Sequence, residues 1–215
     1  MRPRELSRLS SSPSCRPRPE AAAALGLLLL AGCASARPPA PGVAEKAQGA
    51  FSWSGRLRAS VSGGELRGRS HALVAFERPD AMRIEIPGPS GARLVAVARG
   101  NRLWAVLPAD RARLESAASA EDLEALIGVP LSPSELMDVL LGKAPPRVRH
   151  YRVDWGETLP RRVRAELADG TRLDARVEEA ETDAPLPAAA FDPPPCSGCR
   201  PIDAAEARRL LSGRQ

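Results

Sequence analysis

From Phe51 to Ser62 the side chains alternate without a break: Phe51, Trp53, Gly55, Leu57, Ala59 and Val61 on one side, serines and arginines on the other. A period of two describes an extended strand with one dry face and one wet face, so this stretch must lie on a sheet that is covered on one side only. The pattern then repeats. Gly63-Gly64 turns the chain, and Leu66, Gly68, Ser70, Ala72, Val74 and Phe76 continue the dry face, with Arg67, Arg69, His71 and Glu77 pointing out. Pro79-Asp80 ends that strand, and Met82, Ile84 and Ile86 alternate in a third. Arg93 to Val97 and Arg102 to Leu107 form a hairpin about Arg99-Gly100-Asn101, and a short strand is expected near Arg113 to Ser116.

Helix signals appear only after this run. Ser119 followed by Asp122 resembles a capping box leading Leu123, Leu126 and Ile127 to Gly128. Ser132 is placed to cap a second helix with Pro133 first and Glu135 third, and Gly142 stops it. Strand periodicity returns in Val148 to Trp155, Arg162 to Leu167 and Leu173 to Val177, the last two joined by Asp169-Gly170, a strong hairpin signal. Residues 184–195 are irregular and proline-rich, and a final helix is expected over Asp203 to Leu211. Strands and helices do not alternate, which argues against a parallel sheet. The expected fold is mainly β: a single curved antiparallel sheet wrapped around inserted helices, with a short C-terminal helix. Only seven aromatic residues (Trp 3, Tyr 1, Phe 3) serve the whole chain. Small aliphatic inner faces leave volume at the centre, which is either plugged by the inserted helices or left as a lipid-sized cavity.

The amino-terminal region is of another kind. An arginine-bearing head (Arg2, Arg4, Arg8, Arg16, Arg18) precedes the apolar run Ala21 to Leu30. That run is half the roughly 20 residues a membrane-crossing helix needs, and it has the layout of an export signal. Its end, Leu30-Ala31-Gly32-Cys33, resembles a bacterial lipobox, which implies cleavage after residue 32 and lipidation of Cys33. Ala34 at the next position, by resemblance to Gram-negative lipoprotein sorting, implies delivery to the outer membrane, lipid-anchored and facing the periplasm. The expected organisation is a lipoprotein signal peptide (1–32), a lipidated Cys33 with a Pro-rich flexible linker (33–49), a folded domain (50–192), and a tail (193–215) carrying a C-x-x-C pair and the short helix.

Removing residues 1–32 takes five arginines and two glutamates, so that 31 basic against 26 acidic side chains become 26 against 24. The remaining charges alternate in sign along strands, and no nucleic-acid partner is implied. Cys196 and Cys199 form a C-x-x-C pair that could be half a zinc site, a redox motif or a small disulfide. No second pair supplies further metal ligands, no βαβ pattern precedes it, and an oxidising compartment favours the disulfide. No catalytic constellation is visible: His71 and His150 read as surface histidines, and the acidic run Glu178, Glu179, Glu181 and Asp183 as a solvated strand end. The chain is read as non-enzymatic, with neither metal nor cofactor.

Several local motifs, in order, resemble LolB, the outer-membrane lipoprotein receptors, and the related LolA-type carriers. They are Trp53-Ser54-Gly55-Arg56-Leu57, then Pro89-Ser90-Gly91 before the strand Arg93 to Val97. Next come the helix Ala120 to Ile127 ending in Gly-Val-Pro-Leu, the spaced Leu136, and Leu141-Gly142-Lys143-Ala144-Pro145. The resemblance covers roughly residues 50–192. It implies a half-open barrel with a two-helix lid, a cavity that holds acyl chains, and exchange with a periplasmic carrier protein. On that basis Trp53, Leu57, Val74, Phe76, Met82, Ile84, Leu94 and Trp104 line the cavity, and Leu136, Met137 and Leu140 form the lid side. In the receptors an exposed Leu occupies the turn between the third and fourth strands, where this chain has Ser90. The reading that does not use the cavity is an envelope scaffold or adaptor that binds a protein partner through a closed-core domain.

Overall fold

The computed structural model describes residues 38–63, 67–89 and 91–213. Residues 1–32, expected as a signal peptide, and Cys33, Gly64, Leu66 and Ser90 lie outside the described residues. Six strands follow one another as an antiparallel meander: β1 (Ser52–Ser62), β2 (Gly68–Glu77), β3 (Ala81–Gly88), β4 (Gly91–Arg99), β5 (Arg102–Leu107) and β6 (Ala112–Ala117). Helices α2 (Ala120–Ile127) and α3 (Pro133–Leu140) come next. A second meander, β7 (Val148–Trp155), β8 (Pro160–Leu167) and β9 (Arg172–Thr182), returns the chain to β1, with which β9 pairs antiparallel.

This pairing determines where the helices go. The chain leaves the sheet at β6, near one edge, and re-enters at β7, the opposite edge. The segment between them must cross the sheet, and it carries α2 and α3 over the concave face. The described residues form one ten-stranded sheet, and it is not closed: β10 (Arg200–Ile202) and β7 are its two edges. The expected curved, half-open antiparallel sheet with a helical insertion is the observed architecture, with one addition. Strand β10 lies parallel to β6, and α4 (Ala204–Ser212) follows it and packs on α2. The segment set apart as a tail thus completes the sheet.

Alternation decides which residues meet the helices. Trp53 and Leu57, Val74 and Phe76, Met82 and Ile84, Leu94 and Ala96, Leu103 and Ala105 share one buried cluster with Leu123, Leu126, Leu136, Met137 and Leu140. Trp53 and Phe76 face each other across β1 and β2 with ring centroids 5.4 Å apart and planes 8° from parallel. Such a stack is worth about 0.5–1.5 kcal/mol beyond the area it buries. Gly55 is needed beside it: a Cβ there would lie 2.4 Å from the Glu179 carbonyl oxygen and 2.9 Å from the Trp53 ring. The β1–β9 register shifts at Arg56/Leu57, next to that close approach.

Both helix starts follow their sequence signals. Ser119 Oγ accepts from the Asp122 backbone N–H, and Ser132 and Glu135 form a reciprocal capping box. Residues 43–48, expected as part of a spacer, instead form α1 (Val43–Gln48) with Ala47 buried. The reason is local tertiary contact: Gln48 donates to the Gly142 carbonyl oxygen at 3.0 Å, and Arg78 donates to the carbonyl oxygens of Gln48 and Ala50. The prolines at 38, 39 and 41 all precede this helix and so do not interrupt it.

Candidate functional site

Between the sheet and the two helices lies an apolar cavity of about 70 Å³. Of the residues the resemblance implies, Leu57, Val74 and Ile84 line it from the sheet, and Leu136 and Leu140 from α3. Five other expected residues are packed solid instead. Trp53, Phe76, Met82, Leu94 and Met137 are each 0–1% exposed and belong to the core around the cavity, not to its wall. Smaller side chains replace them in the lining: Ala59, Val61 and Ala72, with Ile86, Ile127 and Val129. β9 adds Leu173 and Ala175, which reach the cavity through a pairing of β1 and β9 that spans most of the chain. Strand parity already placed Ala59, Val61 and Ala72 on the dry face. Their small size is what leaves the space open.

Trp104 corrects the expectation outright. Leu103, Ala105 and Leu107 occupy the concave side of β5, so Trp104 must project to the convex side. There it packs with Ala81, Val97 and Phe191, under the turn of 3-10 helix Ala188–Phe191, and Arg102 lies 5.0 Å from its ring centre.

Beside the cavity, the end of β1 and the start of β2 border more space. A second space of about 310 Å³ shares Ala59, Val61, Ser70, Ile86 and Ile127 with the first. Its outer lining adds Arg67, Arg69 and Arg93, together with Leu126 and Leu211. Arg93 reaches this side because the β3–β4 register shifts between Ile86 and Pro87 and breaks the alternation there. Its Nη2 donates to the Leu211 carbonyl oxygen near the end of α4, and its Nε is buried without a hydrogen-bond partner.

Helix α3 is fastened at the other end. Arg78 Nη2 reaches Asp138 of α3 at 3.3 Å, and Lys143 Nζ lies 3.0 Å from the same carboxylate. Tyr151 donates its hydroxyl to the Val139 carbonyl oxygen at 2.8 Å. Burial, reinforced by the negative charge of Asp138, holds the Tyr151 hydroxyl well above the ordinary tyrosine range, so it stays protonated and remains a donor. Gly142 has φ +88°, and a Cβ there would stand 2.6 Å from the Trp155 ring, so the stop after α3 lies directly against β7.

The remaining expected groups lie elsewhere. His71 and His150 are exposed, and His71 Nδ1 sits 3.4 Å from Glu178. Cys196 and Cys199 are paired as a disulfide with Cα atoms 5.6 Å apart, just before β10. Among the described residues no three His, Cys, Asp or Glu side chains are grouped as metal ligands.

No family model and no curated protein matches the sequence. Several solved structures superpose on much of the chain at low identity. An uncharacterized conserved protein from Thermus thermophilus superposes with a TM-score of 0.43 at 12% identity, over 75% of this chain and 96% of that one. An outer membrane lipoprotein-sorting protein domain from Vibrio parahaemolyticus gives 0.38 at 8% identity, over 70% and 94%. LolA-type proteins, to which the sequence bears its resemblance, are also among the structures similar to this chain: a LolA superfamily protein from Nitrosomonas europaea gives 0.41 at 12% identity, over 72% and 98%.

Proposed function

We propose that this chain is a lipid-anchored envelope protein that accepts acyl chains beneath its two-helix lid, as a LolB-like receptor or carrier of lipoproteins or other lipids. The observation that supports the reading is a pair of adjoining spaces that share the apolar side chains Ala59, Val61, Ile86 and Ile127, the inner one lined by Leu57, Val74 and Leu140 beneath α3. Its partners in this reading are the acyl chains themselves, a periplasmic carrier that delivers them, and the outer membrane. Attachment to that membrane is assigned to Cys33.

The volume sets the mechanism. An apolar cavity of about 150 Å³ takes one benzene, and drug-sized sites run to about 300–1,000 Å³. At about 70 Å³ the inner cavity holds no acyl chain until α2 and α3 move outward. The chain would then exchange one apolar environment for another at about 0.8 kcal/mol per methylene on each side, so transfer is close to neutral and needs no nucleotide.

Mass spectrometry of an organic extract of the protein, purified without detergent, tests this reading. We expect co-purified acyl lipid, and loss of a fluorescent acyl probe's binding in Leu140→Arg. The absence of both lipid and probe binding in the unmodified chain overturns it. Cys33→Ala should abolish labelling by radioactive palmitate, and normal labelling would remove the anchor. The small cavity itself favours one other reading, an adaptor with a closed core. A single stoichiometric protein captured from envelope extract, with function retained in a stable Leu57→Arg variant, would establish that one instead.

A further inference from the structure

We propose that the convex face of the sheet docks on an anionic lipid bilayer through a row of arginines on β1, β9 and β8. The choice of a bilayer rests on the envelope-anchored reading above, whereas the charge argument makes no use of the acyl cavity. Arg176 on β9 is paired in register with Arg58 of β1 on one side and Arg162 of β8 on the other. Neighbouring strands lie about 4.8 Å apart, so the three side chains stand in one line about 10 Å long. The row is in mid-strand, three residues back along β1 from the Val61–Gly68 pair that ends its ladder with β2. A recess of about 230 Å³ lies against it, lined by Arg58, Arg69, Arg162 and Arg176 together with Asp174.

The carboxylates around the row are already engaged. Asp174 is held by Arg162 in a two-point contact, and Glu178, at the rim, lies between Arg58 at 3.3 Å and His71 at 3.4 Å. On the flanking positions Asp154 is bound by Arg164, and Glu166 by Arg172. Arg176 is exposed and takes part in none of these pairs. Like charges directly opposite one another weaken a sheet, so three arginines in register work against folding. A surface that presents many negative groups relieves that repulsion and gains contacts at the same time. Guanidinium groups take phosphate oxygens in two-point contacts, and a bilayer offers its phosphates in a plane that such a row can meet at several points. Toward the other end of β9 the sign reverses, with Glu179 opposite Arg56 and Glu181 opposite Ser54, which confines the contact to the arginine end. Docking by this face turns the concave side, with α2 and α3, away from the bilayer.

Every described element lies within residues 38–213, so the test uses the chain from residue 33 onward carrying Cys33→Ser, which has neither the covalent lipid nor the basic head. At low ionic strength it should sediment with vesicles of phosphatidylcholine and about one third phosphatidylglycerol at least tenfold more tightly than with phosphatidylcholine alone. That preference should shrink as salt rises. Arg176→Glu should weaken binding to the anionic vesicles at least tenfold without lowering the thermal midpoint, a split that a structural role for this arginine does not produce. Arg113→Glu makes the same change of charge on β6, several strands away in the sheet, and should weaken binding by no more than about twofold. Should Arg176→Glu fold poorly, Arg58→Gln with Arg176→Gln should weaken binding at least threefold. Equal binding to the two kinds of vesicle, or equal losses in Arg176→Glu and Arg113→Glu, overturns the proposal. Release from the vesicles by a DNA duplex at equal phosphate concentration overturns it in favour of a general polyanion site. Acyl-probe binding should be unchanged in Arg176→Glu, so loss of vesicle binding with the probe still bound strikes this inference alone, and failure of the probe in the unsubstituted chain strikes the acyl reading alone.

Discussion

Arg78 and Asp138 are 60 residues apart in sequence and meet at 3.3 Å, joining the β2–β3 turn to helix α3. The same guanidinium donates to the carbonyl oxygens of Gln48 and Ala50, so one side chain fastens both the start of the folded chain and the lid. Asp138 is only 19% exposed, and it also receives Lys143. Removing its charge leaves two cations without their counter-ion. Asp138→Asn is expected to cost about 1–2 kcal/mol, read as a lower thermal midpoint by about 2–4 °C per kcal/mol in a domain of this size. In a double-mutant cycle with Arg78→Ala, about 1 kcal/mol should appear as coupling. Because the pair holds α3 down, Asp138→Asn should also speed uptake of an acyl probe. Unchanged stability would show that α3 is held by packing alone.

Tyr151 is the only tyrosine in the chain, so its titration can be followed without interference. Its hydroxyl donates to Val139, and burial together with the negative charge of Asp138 holds its ionisation above the ordinary value of about 10. The sign follows from linkage: the unfolded chain loses this proton near pH 10 and the folded chain does not. Stability from this group is therefore complete below about pH 10 and declines as pH rises beyond it. Tyrosinate absorbance should stay low in the native protein at pH 11 and appear near pH 10 in denaturant. Native absorbance rising at the ordinary value would mean the hydroxyl is accessible and the α3–β7 contact is loose. Tyr151→Phe should cost about 1 kcal/mol.

Local signals and long-range contacts differ sharply in how much of this could be seen in the sequence. Period two marked β1 through β5, Asp169-Gly170 marked the β8–β9 hairpin, and Ser119 and Ser132 marked the helix starts, because each of those features is decided within a few residues. The β1–β9 pairing was not visible, since Leu57 and Val177 meet only after the whole second meander has formed. Helix α1 was missed because its order comes from Arg78 and Gly142, not from its own composition. The resemblance implies Trp104 inside, whereas the parity of Leu103 and Ala105 puts it outside. The cavity volume depends on how Leu136 and Leu140 settle against Ala59 and Ala72, and no periodicity encodes that.

Gly142 and Gly170 separate two costs that usually arrive together. Both have positive φ, +88° and +87°, but only Gly142 has a neighbour in the way, the Trp155 ring at 2.6 Å. Gly170→Ala should therefore show the conformational penalty alone, about 1–2 kcal/mol. Gly142→Ala should cost more by the displacement of Trp155, and should shift the tryptophan fluorescence, which Gly170→Ala should leave alone. Equal losses with unchanged emission would mean the β7 edge yields to the added methyl.

Arg176 stands directly opposite Arg58 on one side and Arg162 on the other, so three like charges occupy one cross-strand row of the outer face. Arg58 is engaged by Glu178, and Arg162 by Asp174 in a two-point contact. Opposed like charges are unfavourable by about 0.2–1 kcal/mol relative to neutral pairs, and opposite charges are favourable by a similar amount. Arg176→Glu should accordingly raise the unfolding free energy by a few tenths to about 1 kcal/mol in low salt. The gain should fade toward zero at high ionic strength, where exposed charges are screened. Arg162 also lowers the ionisation of Asp174, chiefly by hydrogen bonding, so that pair strengthens folding above about pH 4 and loses its effect as acid protonates the carboxylate. The stabilisation by Arg176→Glu should persist at neutral pH and weaken below about pH 4, when the new glutamate is itself neutralised. A destabilised Arg176→Glu at neutral pH and low salt would show that this arginine is already satisfied by the acidic groups around it.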